Sequence, residues 1–73
     1  IMLIEKKIQK IIYSIKRNVD LKSDIFAQLD SIQFLNLIIR LEEKFQIKFP
    51  EKKINKANFK NIKSIKKIID YDY

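Results

Sequence analysis

Isoleucines punctuate the first part of the chain at a helical interval. Ile4, Ile8, Ile11 and Ile15 recur at spacings of four, three and four, with Lys6, Lys7, Lys10 and Lys16 mostly filling the other positions. That pattern predicts an amphipathic helix over about 3–17, with its isoleucine face in the core. Over residues 18–29 the period is lost and Asn, Asp and Ser appear, so 18–30 reads as a loop anchored by Leu21, Ile25, Phe26 and Leu29. A second helix is best marked, over about 31–46. Asp30 is a suitable N-cap and Gln33 stands three residues later, the spacing of a capping box. Lys44 and Lys48 suit the negative pole at its far end. A short third helix is expected within 51–60, where Ile54, Ala57 and Phe59 lie among lysines and asparagines. Asn61 then caps a fourth helix over about 62–71, in which Ile62, Ile65 and Ile69 share a face. The expected fold is all-α: a small bundle of three main helices and one short one.

The second helix carries more apolar surface than one stripe requires. At about 100° per residue, Phe34, Ile38, Leu41 and Phe45 fall within roughly 60° of arc and make a core face. Ile32, Leu35 and Ile39 form another stripe, centred roughly 120° away and flanked by Asn36 and Glu43. A helix packed on two sides would look like this. So would one that keeps its second stripe open for a partner protein.

Composition narrows the chemistry. The 73 residues include no Gly, His, Cys or Trp. Lack of Gly removes phosphate-cradling loops and dinucleotide fingerprints. Lack of His and Cys removes a plausible zinc site, a thiol nucleophile, a disulfide and an imidazole base. A catalyst is therefore not expected. Cysteine-free composition fits a reducing cytoplasm, the expected location. The longest apolar run is Ile1 to Ile4, too short for a membrane span or a signal sequence. Met2 reads as the native start, which leaves residues 2–73 as one expected domain.

The net charge is +7, unevenly placed. Residues 1–22 and 51–73 each carry +4, whereas residues 23–50 carry −1. This supports one alternative, a small helical nucleic-acid-binding module using Lys6, Lys7 and Lys10 with Lys60, Lys63, Lys66 and Lys67. Against it, only Tyr13 and Phe59 interleave those lysines, and no helix offers obvious base-reading residues.

Ser31 stands at the start of the second stripe. Its ordinary role would be to share the capping of the helix with Asp30. A hydroxyl there also lies beside unpaired backbone N–H groups, where an attached phosphodiester would be favoured by those donors and by the helix dipole.

Leu29-Asp30-Ser31-Ile32 resembles the attachment motif of acyl and peptidyl carrier proteins, including the D-alanyl carriers. Leu41-Glu42-Glu43-Lys44-Phe45 and Pro50 resemble the end of that family's second helix and the turn after it. Asn58-Phe59, Asn61-Ile62 and the Ile65/Ile69 period resemble its third-to-fourth-helix passage, so the resemblance covers about residues 24–71. It implies that a phosphopantetheinyl transferase moves 4′-phosphopantetheine from coenzyme A onto Ser31, with Asp30 aiding transferase recognition. The arm's thiol would hold a cargo as a thioester. Ile32, Leu35, Asn36, Ile39 and Glu43 fall where family members meet partners: a loading ligase or adenylation enzyme, then a synthase, transferase or thioesterase. A monomeric, non-catalytic carrier is implied. Fatty acyl, polyketide, aminoacyl, D-alanyl and aryl cargoes all fit.

Two departures bear on this. Gln28 and Leu29 stand where many family members have Gly, and Asn36 replaces a characteristic glutamate in a basic chain. Docking is therefore expected to rely on the apolar stripe more than on charge. A purely structural interaction module would share the stripe without the attachment.

Overall fold

The computed structural model describes residues 3–71. Ile1 and the expected start at Met2, like Asp72 and Tyr73, lie outside the described residues. All regular structure in the described part is helical: α1 (Leu3–Ile15), α2 (Ser31–Phe45) and α3 (Ile62–Tyr71), with 3₁₀ turns at Phe26–Gln28 and Glu51–Lys53. The expected all-α bundle is what forms. α1 packs against both α2 and α3.

That two-sided contact widens the buried arc of α1. Ile8 and Ile12 are fully enclosed, whereas Ile4, Ile11 and Ile15 pack at the edge. On α2 the enclosed residues are Leu37, Ile38 and Leu41. Phe34 and Phe45, expected in the core face, are only partly buried because they occupy the first and last turns. In α3, Ile65, Ile68 and Ile69 enter the core, with Ile62 beside them.

Aromatic rings fill the space behind the start of α2. Phe26, Phe34, Phe59 and Phe49 form a chain of edge-to-face contacts, with centroids 4.8, 5.3 and 5.6 Å apart. This is the favoured geometry for aromatic quadrupoles. Phe59 is completely buried, so the segment before α3 is anchored without being helical.

Three boundaries differ from the sequence expectation. α1 stops at Ile15, two residues early. Beyond it the chain turns so that Val19 can enter the core, and Lys16 reaches across to donate to the Gln28 carbonyl at 2.6 Å. α2 ends at Phe45 because Gln46 adopts a left-handed conformation, φ 56° and ψ 48°. The Ile47 N–H then donates to the Glu42 carbonyl, a Schellman-type closure. The expected third helix is reduced to the single 3₁₀ turn Glu51–Lys53. Asparagine side chains take over the backbone pairing there: Asn58 Nδ2 donates to the Lys53 carbonyl and Asn55 Oδ1 accepts from the Asn58 N–H.

α3 begins where expected. Asn61 Oδ1 accepts from the Ser64 N–H at 2.8 Å, an N-cap bond. Along its exposed side Lys66 pairs with Asp70 at 2.6 Å. That hydrogen bond, and then the carboxylate's charge, hold the Lys66 ammonium above its ordinary 10.5.

Candidate functional site

The start of α2 is fixed from both directions. On the helix side, Asp30 Oδ1 accepts from the Gln33 N–H at 2.7 Å, and Gln33 Oε1 accepts from the Asp30 N–H at 2.9 Å. The capping box expected from the sequence is complete. On the loop side, Gln28 substitutes for backbone pairing. Its Nε2 donates to the Asp20 and Asp24 carbonyls, and its Oε1 accepts from the Asp20 N–H. Ile25, fully buried, donates its N–H to the Lys60 carbonyl at 2.7 Å and ties the loop to the approach of α3. Leu29 has φ −109° and ψ 143°, an extended geometry open to any residue. Neither Gln28 nor Leu29 is at positive φ, so the two departures from the expected Gly need no glycine here. The role of Gln28 was not visible in the sequence, since its partners lie four and eight residues away in a region without period.

Ser31 is the first residue of α2 and is exposed. Among the described residues no group bonds its hydroxyl. The Gln33 amide is taken by Asp30 Oδ1 and the Phe34 amide by the Asp30 carbonyl at 2.8 Å. The Ser31 and Ile32 amides are the first-turn donors left over, at the positive end of a 15-residue helix. A phosphodiester on this oxygen would stand at an exposed position beside open donors, so the residues present fit the group.

Three large apolar side chains beside it remain in solvent: Ile32 is 72% exposed, Leu35 57% and Ile39 43%. These are the stripe residues picked out by helical geometry, and among the described residues no helix covers them. Asn36 and Glu43 are exposed alongside. Glu42, one residue away, has a different task. Its carboxylate accepts from the Phe49 N–H at 2.9 Å and holds the chain after α2. Glu43 is therefore the acid left on the stripe's flank.

Fold and site together define a helical bundle that presents an unencumbered serine at a helix N-terminus beside an uncovered apolar strip. The sequence profile described as “Phosphopantetheine attachment site” matches residues 4–71. The chain belongs to this family, whose members carry covalently attached 4′-phosphopantetheine. It has no significant match among curated proteins, nor among solved structures. Among the described residues no helix is long and apolar enough to cross a membrane, and no cluster of potential ligands could hold a metal ion.

Proposed function

We propose that Ser31 is the attachment point of the phosphopantetheine arm, and that the protein is a cytoplasmic, monomeric, non-catalytic carrier. One observation carries this reading. Within a matched carrier domain, Ser31 is an exposed, unpartnered hydroxyl on the first turn of α2, next to two open amides and directly after Asp30. When bound, the arm supplies a terminal thiol that holds an acyl or aminoacyl cargo as a thioester. The chain's own residues position and present it. Asp30 fixes the turn through Gln33 and offers its carboxylate to the phosphopantetheinyl transferase. Ile32, Leu35 and Ile39, flanked by Asn36 and Glu43, form the surface on which the transferase, the loading ligase or adenylation enzyme and the downstream synthase, transferase or thioesterase dock.

The absence of cysteine makes a clean test possible. After incubation with coenzyme A and a promiscuous transferase, followed by desalting, a thiol-specific reagent should find one thiol per chain. Untreated protein and Ser31→Ala should give none. A thiol that persists in Ser31→Ala would move the attachment elsewhere.

A further inference from the structure

A second surface lies between α1 and α2, well away from the stripe. Lys6, Lys7 and Lys10 of α1 and Lys44 of α2 line a groove of about 370 Å³ whose apolar lining is Leu3 and Ile11. Leu3 is 59% exposed, although it is a large hydrophobic side chain. No carboxylate lines the groove and no ion pair involves these lysines among the described residues. Ser14 on the rim accepts from Arg40 Nη1 at 3.0 Å, which brings a fifth cation to the border. Lys6 and Lys10 stand four apart and Lys7 and Lys10 three apart on one helix, a spacing at which like charges oppose each other. The groove between α1 and α3 contrasts with it. There Glu5 and Asp70 line the surface together with Lys63, Lys66 and Lys67, and Asp70 pairs with Lys66. One lysine cluster carries its own counter-charge and the other does not.

We propose that the α1/α2 groove is a docking site for an acidic, partly apolar segment of a partner protein. Charge complementarity calls for several carboxylates opposite the four ammonium groups. The apolar lining calls for a side chain such as Leu or Ile between them, to cover Leu3 and Ile11. A sugar-phosphate backbone would leave that lining wet, and among the described residues no aromatic side chain lines the groove to stack a base. A membrane surface would bridge the rim without filling a concave groove. Lys44 lies roughly 150° around α2 from the centre of the stripe, so both surfaces can be occupied together. The site does not depend on attachment at Ser31.

The test uses the full chain, isotopically labelled, with a fluorescent synthetic peptide in which Asp and Glu alternate with Leu. Expected amide shifts centre on Lys6, Lys7, Lys10, Ser14 and Lys44. Binding should weaken at least about tenfold in Lys10→Glu/Lys44→Glu, and should weaken progressively as salt is raised. Lys10→Gln/Lys44→Gln, a milder change, should show an intermediate loss with the fold intact by circular dichroism. Lys63→Glu/Lys67→Glu alters net charge equally and should bind like the wild type. The proposal is overturned if that control loses as much, if shifts centre on α3 or on Ile32 and Leu35, or if wild type does not bind at millimolar peptide. It is also overturned if duplex DNA or phosphatidylglycerol vesicles bind more tightly than the peptide does.

Discussion

Asp30 has one observed task and one proposed task, which substitutions can separate. In the structure it caps α2, accepting from the Gln33 N–H at 2.7 Å while Gln33 returns a bond to its own amide. Removing such a cap costs about 1 kcal/mol, and losing a negative charge at the helix N-terminus costs about 0.3–1 kcal/mol more. Because Asp30 is exposed, water can satisfy the freed amide, and this keeps the Asp30→Ala total near 1–2 kcal/mol. For a domain of this size each kcal/mol lowers Tm by about 4–8 °C. Asp30→Asn retains the capping oxygen and gives up only the charge, so it should lose under about 1 kcal/mol, and less in high salt. Thermal and urea unfolding followed by circular dichroism measure both. In parallel, if the proposed recognition role holds, the rate of phosphopantetheine transfer should fall by a similar factor in Asn and Ala, because both lack the carboxylate. Equal destabilisation by Asn and Ala would refute the capping reasoning. Transfer to Asp30→Asn at the wild-type rate would refute the recognition role.

Four further outcomes are expected. Ile32→Ala and Leu35→Ala should each change stability by no more than about 0.5 kcal/mol, since these side chains are more than half in solvent, whereas Ile39→Ala, at 43% exposed, should cost about 1 kcal/mol; all three should impair transfer and loading. Rates of transfer and loading on that stripe should vary little between about 50 and 300 mM salt, in contrast to binding at the α1/α2 groove. Phe59→Ala should cost about 3–5 kcal/mol, a large share of a small domain's stability, whereas Phe59→Leu should remain folded. Gln46 is the only non-glycine residue at positive φ among the described residues; Gln46→Gly should therefore be more stable than Gln46→Ala by about 1 kcal/mol.

The local features of the site were legible because their partners are neighbours in sequence. Asp30 with Gln33, and Asn61 with Ser64, act across three residues, and the stripe of Ile32, Leu35 and Ile39 follows from the turn of one helix, although only packing decides whether it is covered. Features that depend on tertiary contact were not legible. Ile12 is buried because α1 meets both α2 and α3, and Val19 because a loop folds inward. The segment 51–60 has helical composition, yet Asn55 and Asn58 give its backbone a competing set of bonds. Lys44 sits in the near-neutral middle of the sequence. Only packing places it opposite Lys6, Lys7 and Lys10.

The most direct test is the intact mass of the protein after incubation with coenzyme A and a promiscuous phosphopantetheinyl transferase. A single added phosphopantetheine is expected on the wild type and none on Ser31→Ala, although Ser14, Ser23 and Ser64 remain available in that variant. No change in mass, under conditions that fully modify a control carrier, would contradict the account.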